Sequence, residues 1–142
     1  MDYQTAIRGA FFDIAQVCDS ADVIAQQARY LEDGLLFIHN GKILAQMAWQ
    51  EGEQYLDPYK GYTDLRGKLL LPGFVDTHVH YPQTEMIGAF GEQLLEWLTT
   101  YTFPVESQFA DEAYAKEIAA FFINQLVSHG TTTALVFCTL HP

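Results

Sequence analysis

The chain has 142 residues, 49% of them apolar and 18% charged; this is a core-forming, domain-sized sequence and not a disordered tail. Seven basic against 18 acidic residues leave a formal net charge of −11, and a surface that acidic excludes binding of nucleic acid through a basic patch. Its two cysteines, Cys18 and Cys138, are too few and too far apart for a disulfide scaffold or a four-cysteine zinc knuckle, and fit a reducing compartment.

Acidity is uneven. Residues 1–72 carry six bases and ten acids, whereas residues 73–142 carry one base, Lys116, and eight acids. A solvated acidic helix face accounts for most of them. No apolar run approaches 18 residues, so no membrane-spanning helix is expected. Met1-Asp2-Tyr3-Gln4 lacks the basic start of a secretory signal, and the expected location is cytoplasmic.

Along the chain, Thr5–Ile14 reads as a first strand, and Asp19–Gln27 as a short helical turn that Ser20 or Asp22 can cap. Leu35–Ile38 and Lys42–Trp49 flank Asn40-Gly41, the pair suited to a type I′ turn, and predict a hairpin. Gly52–Tyr62, with Pro58 and Gly61, reads as a loop. Leu69-Leu70-Leu71 reads as a short buried run. Residues 1–72 are therefore expected to form mostly strands and turns, as part of a small β-sandwich.

The pattern changes at Pro72. Phe74–His80 reads as a strand, and Gly91–Tyr101 as a helix with Leu94, Leu95, Leu98 and Tyr101 on one stripe. Thr102–Ala110, with Pro104, is expected to break that helix. Asp111 caps a second helix carrying Ala115, Ile118, Ala119, Phe122 and Leu126, and Gly130 closes it at the C′ position. Thr131–Thr139, β-branched and apolar without alternation, reads as a parallel strand buried on both faces. Strand, helices, strand is the start of an α/β parallel sheet.

The chemistry centres on His78 and His80. Alternate residues of a strand face the same way, so both imidazoles can converge on one ion at the C-terminal end of the strand, where parallel α/β folds place their sites. Neutral imidazole suits zinc, iron and related divalent ions. The ordinary reading of an isolated His-x-His is one exposed ring and one packed in the core. Asp76 and Thr77, as outer-shell partners, and Pro72-Gly73, which launches the strand, favour the metal pair. His129 is expected at a helix C-terminus, where a cation suits the dipole. His141 follows the second strand and is not taken as a ligand. Cys138 reads as a small core residue. His-Glu-x-x-His, the His-x-Glu…Pro-Cys-x-x-Cys deaminase signature and glycine-rich phosphate loops are all absent.

Pro72-Gly73-Phe74-Val75-Asp76-Thr77-His78-Val79-His80 resembles the first-strand motif of the amidohydrolase superfamily. His80-Tyr81-Pro82-Gln83, Gly91-Glu92-Gln93-Leu94-Leu95-Glu96-Trp97-Leu98, Thr102-Phe103-Pro104 and Gly130-Thr131-Thr132-Thr133-Ala134 are similar to guanine deaminases, the bacterial ones in particular. The resemblance runs from about Ile7 to the last residue. It implies a metal-dependent (β/α)₈ barrel preceded by a small β-sandwich, with residues 1–72 as the N-terminal sandwich portion and 73–142 as the first two βα units.

By the same resemblance, His78 and His80 are the first two ligands of a zinc ion, with iron as the alternative, and a metal-activated water converts guanine to xanthine and ammonia in purine catabolism. Gln83 corresponds to the glutamine that binds the purine, and its carboxamide offers the donor and acceptor that match the N1–H and O6 edge. Trp97 and Phe103 are candidate pocket walls, although an aromatic residue on an amphipathic helix more often belongs to the core. No acid–base catalytic residue is assigned within the chain. The family further implies a homodimer.

The 70 residues from Gly73 to Pro142 hold roughly two βα units of a barrel that needs about 250 residues. The expectation is of an N-terminal piece, incomplete as a barrel, that alone neither holds metal tightly nor deaminates guanine. The competing readings are another aminohydrolase of the superfamily and a non-catalytic binding or assembly module.

Overall fold

Residues 1–16, 20–91, 93–139 and 141 are described by the computed structural model; Cys18, Asp19 and Glu92, which enter the sequence reading, lie outside them. The chain divides into two units, Met1–Pro72 and Gly73–Pro142. Among the described residues no helix is long and apolar enough to cross a membrane.

The first unit is built on a four-stranded mixed sheet of order β3-β2-β1-β4, formed by β1 (Thr5–Ile14), β2 (Ala28–His39), β3 (Lys42–Ala48) and β4 (Thr63–Leu70). β1 occupies the predicted span. Asn40 and Gly41 have φ of 50° and 71°, as a type I′ turn requires, and they join β2 to β3 as expected. Trp49 departs from the reading: it leaves the hairpin and opens α2 (Trp49–Gly52). A short helix, α1 (Ala21–Gln27), is capped by Ser20, whose side chain accepts from the Val23 amide.

Tyr3, Ala6, Leu35 and Phe37 form the core on one face of the sheet. Tyr3 meets Phe37 edge-on at 5.1 Å, and its hydroxyl accepts from the Asp57 amide at 2.7 Å, which ties the loop before β4 to the chain's start. Arg8 joins the strands laterally. Its guanidinium donates twice to Asp33, at 2.8 and 2.6 Å, and lies 3.5 Å from the centre of the Trp49 ring.

Leu69 to Leu71 are not the buried run expected of them. β4 lies at the sheet edge, where alternation turns Leu69 outward to 55% exposure and the chain beyond Leu70 leaves the ladder with Leu71 also exposed. Only Leu70 reaches inward, onto Gly9.

In the second unit, β5 (Phe74–His80) and β6 (Thr131–Phe137) run parallel as a two-stranded sheet. α5 (Glu112–Ser128) connects into β6. Asp111 caps α5 by accepting from the Ala113 amide at 2.8 Å. Gly130, with φ of 85°, closes the helix as predicted. Ile118 and Phe122 are its buried residues; Phe122 and Phe109 both pack on Tyr81.

Two expectations fail here. Pro104 does not end the first helical segment: α3 (Leu94–Trp97) runs through a π turn, Leu98–Thr102, into α4 (Phe103–Ser107). Proline cannot donate to the preceding turn, and the wider turn, in which the Phe103 amide bonds the Leu98 carbonyl, absorbs the disturbance. The packed face differs from the predicted stripe. Trp97, Leu98 and Thr102 turn inward, while Leu94 and Leu95 of the predicted stripe stand 70% and 76% exposed.

β6, expected to be buried on both faces, is largely exposed. Among the described residues it pairs with β5 alone, so one strand edge and much of both faces lack cover. β6 ends at Phe137, which leaves Cys138 exposed and free instead of in a core.

Two predictions follow from the packing. A Cβ on Gly73 would stand 1.9 Å from Thr132 Oγ1 and 2.6 Å from Thr132 Cβ; rotating the hydroxyl relieves only the first. Gly73→Ala should therefore cost about 1–3 kcal/mol in unfolding free energy, measured by urea titration, with Thr132→Gly in the same protein recovering most of the loss. The second concerns acid. Arginine partners hold three carboxyls below the usual range: Arg8 for Asp33, Arg29 for Asp13 and Arg66 for Asp64, the last brought down to about 2. Because these values are lowered in the folded state, the stabilisation is complete above the ordinary carboxyl pKa of ~3.9 and is lost as pH falls through the folded values. Urea midpoints should drop between pH ~4 and ~2, less steeply for Asp33→Asn than for the parent and less at high salt.

Candidate metal centre

β5 places His78 and His80 one pleat apart, and both rings turn to the same side. Their Nε2 atoms are 3.0 Å apart and their ring centres 5.1 Å. Parallel pairing sets His80 opposite Phe137 of β6, and the Phe137 ring backs both imidazoles, at 4.7 Å from His78 and 4.8 Å from His80, stacked nearly parallel to the latter. The Phe137 contacts are to the ring faces, and both histidines line the cavity described below.

The donor set fits a divalent ion in part. Two nitrogens each ~2.0–2.1 Å from a tetrahedral zinc lie about 3.3–3.4 Å apart, slightly wider than the observed separation, and neutral imidazole is the right donor type. Two ligands do not complete such a site. Among the described residues there is no group of three or more histidine, cysteine, aspartate or glutamate side chains able to hold an ion.

The expected outer-shell partners are differently employed. Asp76 Oδ1 accepts from the backbone amide of His78 at 3.0 Å, so it shapes the strand and does not orient a ring. Thr77 lies where the β5–β6 register shifts, between Asp76 and Val79. His129 caps α5, its Nδ1 lying 2.8 Å from the Gln125 carbonyl oxygen. His141 is exposed, and its amide bonds Thr139 Oγ1 at 3.4 Å.

Beyond His80 the chain enters a 3₁₀ segment, Tyr81–Met86. Pro82 is fully buried, and Thr84 Oγ1 donates to the Tyr81 carbonyl at 2.6 Å. Gln83 is carried on this fixed turn. With His78, His80 and Trp97 it lines a cavity of about 370 Å³ floored by Met86 and Phe122. Trp97 is held in place by its Nε1–H, which donates to the Ala89 carbonyl at 3.1 Å. Phe103, the other expected wall, is not among the cavity residues and is 55% exposed, because the π turn rotates it away.

Two neighbours escaped the sequence reading. Phe137 is legible only once β5 and β6 are placed in register. Glu106 Oε1 accepts from Gln83 Nε2 at 3.2 Å across 23 positions of chain, and no local signal announces that contact.

Comparison with known proteins identifies the family. The Amidohydrolase family profile matches residues 69–142. The chain is 53% identical over 137 residues to the guanine deaminase of Escherichia coli, which covers 96% of this chain and 31% of that protein. The solved E. coli guanine deaminase superposes with a TM-score of 0.93 at 52% identity, over 97% of this chain and 32% of its own. Guanine deaminase from Bradyrhizobium japonicum gives 0.82 at 36% identity, over 94% and 29%. The C. acetobutylicum enzyme, solved with guanine in its active site, gives 0.71 at 28%, over 96% and 30%. The chain thus spans about a third of the length of the relatives it matches. With a profile match over more than half its residues, running through the histidine strand and on to the end of the second parallel strand, the chain belongs to the amidohydrolase family.

Proposed function

We propose that this chain supplies part of the active site of a guanine deaminase, which hydrolyses guanine to xanthine and ammonia. The observation that carries the reading is the facing pair of Nε2 atoms on β5, with the Gln83 carboxamide lining the same cavity. The names of the similar enzymes and the guanine bound in one of them support the choice of substrate. In this reading residues 1–72 are the N-terminal sandwich portion. Residues 73–142 are the first two βα units of the barrel, whose further strands cover the exposed edge and faces of β6 and add the remaining ligands.

His78 and His80 would hold the ion, zinc or iron, through Nε2. Such an ion supplies Lewis acidity, which makes water nucleophilic near neutral pH, with a pKa of ~7. Phe137 keeps both rings aligned without taking up their nitrogens. Gln83 binds the purine edge, its carboxamide oxygen accepting from N1–H and its remaining N–H donating to O6. Trp97 walls the cavity and helps exclude bulk water. We place the enzyme in the cytoplasm, as a homodimer in its complete form.

A metal assay of the complete protein together with a substrate panel of guanine, adenine, cytosine and hydantoin tests the reading. Ammonia release from guanine alone supports it; turnover of a different ring instead overturns the substrate. His78→Ala should abolish stoichiometric metal, read by elemental mass spectrometry on desalted protein. Gln83→Ala should retain the metal and lower kcat/KM for guanine roughly tenfold or more. If His78→Ala keeps one ion per chain, the ligand assignment is wrong. The 142-residue chain alone should bind zinc weakly and leave guanine intact.

A further inference from the structure

We infer that Glu106 is a positioning residue for Gln83, one that fixes which end of the carboxamide a ligand meets; this rests on the guanine reading above. An amide side chain can present its oxygen or its nitrogen at nearly the same place, and only its partners decide which. Here the partner is a carboxylate, which when ionised accepts and cannot donate. The Gln83 nitrogen therefore turns to Glu106 Oε1, at 3.2 Å; the flipped amide would set oxygen against oxygen. Among the described residues this is the one hydrogen bond the Gln83 carboxamide makes. Both partners are half-buried, which strengthens the preference relative to open water.

The two residues sit on well-anchored elements. Gln83 rides on the turn held by buried Pro82 and the Thr84–Tyr81 bond. Glu106 belongs to α4, whose rotation about its axis is set by the π turn at Leu98–Thr102. Fixing the nitrogen toward Glu106 leaves the oxygen and the second N–H for a ligand in the cavity.

That arrangement reads a purine edge with a ring N–H beside a carbonyl oxygen. Guanine presents N1–H and O6, and both match. With the amide reversed both contacts become like against like. 2-Aminopurine carries the same 2-amino leaving group but has an unprotonated N1 and no O6, so the fixed oxygen meets a lone pair. Glu106 thereby acts on substrate choice through Gln83, without touching the substrate.

The test uses the metal-loaded complete protein with guanine and 2-aminopurine as substrates. Glu106→Gln keeps the shape, yet its amide satisfies Gln83 in either orientation. It should raise KM for guanine and lower the guanine-to-2-aminopurine ratio of kcat/KM, each by roughly tenfold, with kcat for guanine moved less. Glu106→Asp should restore part of the ratio. In a Gln83→Ala background, Glu106→Gln should change neither value, because the residue it positions is gone. Wild-type KM and ratio in Glu106→Gln, or equal losses with and without Gln83, would overturn the inference while guanine turnover by the parent stands. A metal-loaded parent that leaves guanine untouched overturns the functional reading, and the inference with it.

Discussion

The period-two pleat of β5 is the constraint on which the site depends. It sends His78 and His80 to one side, at the end of a stretch, Asp76 to Val79, in which the β5–β6 register shifts. Parallel pairing with β6 then brings Phe137 level with His80, and its ring packs against both imidazoles. Ring contacts that hold both imidazoles on one side before a ligand arrives would reduce the entropy that binding must overcome. Moving either histidine by one position would put its ring through the sheet.

The close approach that permits the pairing begins at Gly73, where the backbone lies against the Thr132 side chain and leaves no room for a Cβ. Pro72 before it cannot donate to a ladder, and the chain enters β5 with its register already constrained. Downstream, Pro104 acts on the same site from the opposite direction. By forcing a π turn it rotates α4 relative to α3, so Trp97 keeps its face toward the cavity while Phe103 turns out and Glu106 comes within reach of Gln83. A helix of uniform pitch could not place both.

Local patterns carried much of this in the sequence. Asn40-Gly41, Asp111 and Gly130 each specify a turn or cap by their own chemistry, and each occupies the expected conformation. The convergence of His78 and His80 follows from alternation alone. What escaped the reading depends on neighbours distant in sequence: the outward turn of Leu69 at a sheet edge, the survival of the helix past Pro104, and the Gln83–Glu106 bond. The apolar runs of β6 and of the 94–95 stripe are misleading in another way. They report the tendency of the residues to be buried, and within these two units nothing described covers them.

Within six positions, then, the chain passes from groups suited to an ion to one suited to a heterocycle: His78 and His80 on the strand, Gln83 on the turn that continues it. Because the strand end and the turn share a backbone, the spacing between the histidine pair and the Gln83 carboxamide is set largely by local geometry. Orientation is different. A carboxamide can be correctly placed and still face the wrong way, and the strand has no means of choosing. That choice needs an acceptor from elsewhere in the chain, and α4 supplies it in Glu106. Placement and sense of the Gln83 carboxamide thus have separate physical origins, one in β5 and its turn and the other in the helix that carries Glu106.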